Sequence, residues 1–254
     1  MYKQLKLLSV GLIVGSLTSC ATITPVGSAP VIGPKVQFSD ADLQPEIAKR
    51  GDLVYELLVG EIAGKQGRIN QATEHYLNAS RLSDNPDIAA RTARIATFSK
   101  DFKIAVDAAK RWVALEPDSS EARQVAGLLL VRNGENKAAA EHFIKVIELG
   151  GEEKYELGFA RLSLLMVRES VSDDEWVVMG IVRDHFPEVS YAHRSYAELA
   201  FRNKSYDASL AALEKALLLD SEDDSSRILR SRVLLSMGRV DEALEDMREM
   251  TRKS

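Results

Sequence analysis

From about residue 50 onward, apolar side chains recur at helical spacing in stretches of about a dozen residues, each closed by a short polar turn. This pattern predicts amphipathic helices throughout and no alternating strand. Ahead of it the chain reads differently. Lys3 and Lys6 precede an apolar run from Leu7 to Leu17, which ends in Leu17-Thr18-Ser19-Cys20. A basic start, a short apolar core and small residues at the end form the plan of a secretory signal, and the run is shorter than the roughly 20 apolar residues of a spanning helix. Between Ala21 and Phe38, Pro25, Pro30 and Pro34 alternate with Gly27 and Gly33 and no helical period is present. That stretch is expected to be an extended tether, reaching at most about 50 Å at roughly 3 Å per residue.

The helical part is self-similar at about 34 residues, with repeat starts near 53, 86, 120, 156, 190 and 224. At the eighth place of each unit stand Gly60, Ala93, Gly127, Ser163, Ala197 and Ser231, all small. At the twentieth stand Ala72, Ala105, Ala139, Ser209 and Ala243, while the fourth unit has Glu175 there. Gly67, Gly134 and Gly238 fall in the turn between paired helices, and Tyr76, Phe143, Leu213 and Met247 take the twenty-fourth place. Small residues where two helices cross, with a large one filling the gap to the next pair, resemble the tetratricopeptide repeat; the stretch SYDASLAALEKALLLDS is similar to its second helix. The fold expected from this resemblance is all-α, a right-handed α-solenoid of about six helix-turn-helix repeats over residues 39–254. Asp118-Ser119-Ser120-Glu121 and Ser172-Asp173-Asp174-Glu175 read as helix starts, with carboxylates placed where the helix dipole favours them.

Composition narrows the function. Lys and Arg number 33 against 38 Asp and Glu, a net charge of -5, which argues against general nucleic-acid binding. One cysteine cannot form an internal disulfide, and His75, His142, His185 and His193 make no ligand-like cluster, so neither metal nor cofactor is expected. No metalloprotease, hydrolase, phosphate-loop or dinucleotide motif is present. Trp112 and Trp176 are read as packing residues, and the chain is not read as an enzyme.

The Leu-Thr-Ser-Cys segment resembles a bacterial lipobox, which implies cleavage of residues 1–19, lipidation of Cys20 and, with Ala21 following, delivery to the periplasmic face of the outer membrane. The alternative is an ordinary secretory signal cut near Ala21. In tetratricopeptide repeats the second, fifth, ninth, twelfth and thirteenth places face the concave groove. Carried to this chain, they place Arg94, Phe98, Gln124, Leu128, Arg132, Leu164, Val167, Arg168, Tyr191, Arg194, Phe201, Arg202 and Arg232 along a basic, partly apolar stripe. Such a stripe suits an extended peptide or an acidic terminus, because guanidinium groups bind carboxylates in bidentate fashion. The competing reading is that these arginines pair with Glu61, Glu121 or Glu198 of neighbouring repeats.

Residues 50–150, through DLVYELLVGEIAGKQGRINQATEHYL and RTARIATF, resemble a gammaproteobacterial outer-membrane lipoprotein family whose best-understood member is the adaptor of a periplasmic carboxy-terminal processing protease. The resemblance implies a periplasmic protein partner, a processing protease or cell-wall enzyme. The alternative is an assembly factor, such as the lipoprotein that pilots secretin subunits of type IV pili, or a component of outer-membrane protein insertion. The family continues through further repeats, so a shortened member is one expectation. Another is that Leu244, Met247 and Met250 face water, a partner or a second copy of the chain.

Overall fold

The computed structural model describes residues 40–99, 101–169 and 174–253. Cys20, the tether and the Ser172-Asp173 helix start lie outside them. The described part forms one unit of twelve helices with no strand among the described residues. In chain order these are α1 (Asp40–Lys65), α2 (Ile69–Leu82), α3 (Pro86–Ala96), α4 (Phe102–Leu115), α5 (Ser120–Arg132), α6 (Asn136–Gly150), α7 (Tyr155–Glu169), α8 (Asp174–His185), α9 (Ser190–Arg202), α10 (Tyr206–Leu219), α11 (Asp224–Ser236) and α12 (Val240–Lys253); a single 3-10 turn, Glu152–Lys154, leads into α7. Successive helices pair as hairpins and each pair packs on the next. This is an α-solenoid.

Local chemistry fixes where the helices start and stop. The side chains of Asn85, Asp101, Ser119 and Asp223 accept hydrogen bonds from backbone N–H groups in the first turns of α3, α4, α5 and α11. Each satisfies donors that the helix itself cannot pair. Between paired helices the chain reverses through one residue of positive φ: Gly67 at 72°, Gly134 at 76°, Gly238 at 76° and, in the fifth repeat, Lys204 at 59°. The following N–H then reaches back across the turn, from Arg68 to Ala63, Glu135 to Leu130, Ser205 to Ala200 and Arg239 to Leu234, each at 2.9 Å. Glycine takes this conformation without steric cost; Lys204 does not.

The helix crossings explain the small residues. Ala93, Ala197, Ala72, Ala105, Ala139, Ser209 and Ala243 are fully buried. A Cβ added at Gly127 would stand 2.6 Å from Phe143 Cζ, and one at Gly60 would stand 3.1 Å from the Tyr76 ring. The large residue of the second helix therefore lies directly against the bare backbone of the first. One apolar core runs from Leu77 to Ala243, and a smaller cluster around Ala63, Ala72 and Tyr76 closes the first hairpin.

The fourth hairpin departs from the rest. Glu175 is buried at the crossing place where the other second helices carry alanine or serine. There α8 packs mainly on α6 and α9 and only lightly on α7, while α7 leans on α9. Close approach needs a small residue on both helices, and Glu175 removes one of them.

Candidate functional site

The first helices α7, α9 and α11 border one hollow of about 420 Å³. Leu164, 59% exposed, and Ile228, 51% exposed, provide its apolar floor, and Arg194 and Arg232 stand at its sides. Ser163 Oγ donates to Glu198 Oε2 at 2.9 Å across α7 and α9, so among the described residues Glu198 is engaged by a hydroxyl and not by an arginine.

The arginines of the stripe divide into two groups. Arg194 donates to Asp223 Oδ1 at 2.6 Å, approaches Glu156 at 3.6 Å and lies over the Tyr191 ring at 5.1 Å. Asp223 is almost fully buried there and also caps α11, so Arg194 ties two repeats together. Arg94 pairs with Glu121 at 2.9 Å and covers the Trp112 ring at 5.0 Å. Arg132 donates to the Thr97 carbonyl at 2.7 Å. These three join repeats and are in part structural. Arg168, Arg202 and Arg232 are exposed and have no acidic partner among the described residues. Arg232 stacks over Phe201 at 5.2 Å, a contact that orients the guanidinium while leaving its donors to solvent.

The other stripe residues fall unevenly. Phe98 is 75% exposed in the turn that follows α3 and Gln124 is exposed on α5, whereas Leu128 is buried in the wall. Val167, Tyr191 and Phe201 are half-buried. Leu164, Val167, Arg194 and Arg232 are brought together at the hollow; Arg132 lies one repeat before its α7 edge and Arg94 and Phe98 two. Ile228 was not among the expected groove residues although it holds the fifth place of its repeat, the signal that would have found it.

Other ion pairs had no sequence signature. Arg91 pairs with Glu61, and Glu61 also accepts from the Tyr76 hydroxyl. Arg230 makes a two-pronged contact to buried Asp246, and buried Arg227 pairs with Glu249, joining α11 to α12. His75 Nδ1 lies 2.7 Å from Glu56 Oε2. Trp112 is buried with its Nε1 donating to Glu116 at 2.6 Å, and Trp176 packs against Tyr196. No three metal-ligating side chains converge among the described residues, and no described helix is long and apolar enough to cross a membrane.

The family model described as Tetratricopeptide repeat matches residues 180–227, which run from α8 through the α9–α10 hairpin into α11. The fold is a tetratricopeptide-repeat solenoid. A TPR repeat-containing protein of Pseudomonas aeruginosa is 29% identical over 254 residues, covering 96% of this chain. The chain spans 41% of that relative's length. Among solved structures, MamA (41-end) of Desulfovibrio magneticus RS-1 is 16% identical, covers 67% of this chain and 95% of its own, and has a TM-score of 0.39. Pseudomonas aeruginosa pilF is 13% identical, with 81% and 93% covered and a TM-score of 0.35. Tetratricopeptide-repeat solenoids work in general by binding other proteins.

Proposed function

We propose that this chain is a non-catalytic scaffold, held by a lipidated Cys20 at the periplasmic face of the outer membrane, that docks a processing protease or cell-wall enzyme. The hollow between α7, α9 and α11 carries this reading. Exposed Leu164 and Ile228 supply apolar contact, and Arg232 on the same wall is committed to no carboxylate among the described residues. Apolar surface around a guanidinium strengthens its attraction for a carboxylate by excluding water. Anchoring works by lipid alone in so acidic a chain: acyl groups contribute about 0.8 kcal/mol per buried methylene. Confinement near the membrane then raises the local concentration of partner and substrate without new chemistry.

The test is photocrosslinking in cells from residues placed at Leu164 and Ile228. Capture of a processing protease or a wall hydrolase supports the reading. Capture of a secretin subunit or barrel-insertion component replaces it with an assembly role. Membrane retention of a Cys20→Ala variant would refute the anchor.

A further inference from the structure

On the opposite flank of α7, the seam with α6 is incomplete. Where other repeats meet, both helices bring buried side chains to the core: Val106 and Ala109 on α4 with Ala122 and Leu129 on α5, and Leu210 and Leu213 on α10 with Leu229 and Val233 on α11. At the α6–α7 seam, α6 supplies buried Phe143 and Ile147 in the usual way. The matching places on α7, those of Ser226 and Leu229 in α11, hold Gly158, which has no side chain, and Arg161, which is exposed. A slot of about 130 Å³ is left, walled by Phe143, Ile147, Leu162 and Leu165. It opens beside Leu157, which is 47% exposed.

The size and the charge of this slot identify its occupant. An apolar cavity of about 150 Å³ accommodates one benzene ring, whereas drug-sized ligands need about 300 Å³ or more. One leucine-sized side chain therefore fits, and an acyl chain does not. Lys154 and Arg161 stand in the lining and no carboxylate does. Among the described residues Lys154 pairs with Glu153 alone, at 3.8 Å and with both groups well exposed, and Arg161 has no acidic partner. In a chain of net charge -5, an acid-poor lining with two cations favours an anionic visitor. Ser120 and Gln124 lie on the α5 side, within the same slot, as hydrogen-bonding groups for a peptide backbone.

We infer that the α6–α7 slot receives one leucine-sized side chain of a partner polypeptide whose neighbouring carboxylate is held by Lys154 and Arg161. The site is separate from the α7–α9–α11 hollow and stands without the adaptor reading. A protein partner grips α7 from its α6 side at this point.

The test uses the full chain and two dipeptide probes, acetyl-Leu-Glu-amide and acetyl-Leu-Gln-amide, followed by methyl resonances of Ile147, Leu162 and Leu165. Fragments of this size bind in the millimolar range. The expected result is a shift of these methyls, with the Glu probe binding about three-fold more tightly than the Gln probe, as an exposed ion pair allows. Arg161→Gln, on the rim, is expected to reduce that preference, with Lys154 holding the remainder, while leaving the Gln probe's affinity unchanged. Gly158→Leu is expected to abolish binding of both probes. A Cβ at this glycine would meet Ile147 Cγ1 at 3.8 Å, an ordinary contact, so the backbone tolerates it. Unshifted seam methyls, equal affinity for the two probes, or undiminished binding by Gly158→Leu would each overturn the proposal; Arg161→Gln keeps the test intact if Gly158→Leu fails to fold.

Discussion

Gly127→Ala is expected to destabilise the protein, against the ordinary trend for glycine in a helix. Alanine in place of glycine at mid-helix normally stabilises by about 0.5–1 kcal/mol, because it restricts the unfolded chain and favours helix. At Gly127 the added methyl would lie 2.6 Å from Phe143 Cζ and 2.8 Å from Cε1. Phe143 is fully buried within the core and has little room to retreat. Overpacking of this kind costs about 1–3 kcal/mol, so after the helix gain the net loss is centred at about 1 kcal/mol and reaches about 2.5 kcal/mol. Gly64→Ala in α1 is the internal control. Its new Cβ would meet only Ala72 Cβ at 3.9 Å, and it should gain about 0.5–1 kcal/mol. Urea denaturation followed by circular dichroism measures both, and a double-mutant cycle isolates the contact. Phe143→Leu alone is expected to cost about 1–2 kcal/mol through lost volume, and combined with Gly127→Ala it should cost less than the sum of the two. If Gly127→Ala raised the midpoint, or if the two substitutions were additive, close contact of ring and bare backbone would not be what holds these hairpins together.

Other outcomes follow from the same geometry. Lys204→Gly should stabilise by about 1 kcal/mol, because it relieves a left-handed backbone at a turn where three other repeats already have glycine; the urea midpoint reads this. Charge reversal should separate the two classes of arginine: Arg168→Glu with Arg232→Glu should weaken partner capture with an unchanged midpoint, whereas Arg194→Glu should lower the midpoint by confronting buried Asp223 with a like charge. Burial, aided by the positive charge of Arg123 and Lys110, holds the His142 imidazole below its ordinary value near 6.5. The neutral ring is therefore the form the fold prefers, so this contribution is fully present above about pH 6.5 and is lost as the pH falls toward the lowered folded value. His142→Gln should flatten that slope in stability measured between pH 7 and 5 (roughly the range in which imidazole titrates), and His193, also lowered mainly by burial, adds a slope of the same sign.

The all-helical solenoid was legible because its determinants are local and recur. Steric closeness at Gly60, Ala93, Gly127 and Ala197 admits few residue types, so the requirement shows directly in the letters. The same regularity made Glu175 stand out, and the loosened α7–α8 contact is its physical counterpart. The arginine stripe was legible as composition but not as chemistry. Whether an arginine faces the hollow or holds the next repeat depends on an acid about 30 residues away in sequence, as with Arg194 and Asp223, and one-repeat periodicity does not contain that pairing. The α6–α7 slot is a property of two absences, a side chain at 158 and a carboxylate nearby, and absences of this kind become visible only when helices are set side by side.

Repeats touch only their neighbours, so a bending load has no route around a weak joint. With α8 resting on α6 and α9 and scarcely on α7, the fourth hairpin passes load from the third repeat to the fifth along two separate routes, one through each of its helices. A ligand pressing on either flank of α7 bears on one of those routes while the path through α8 stays in place.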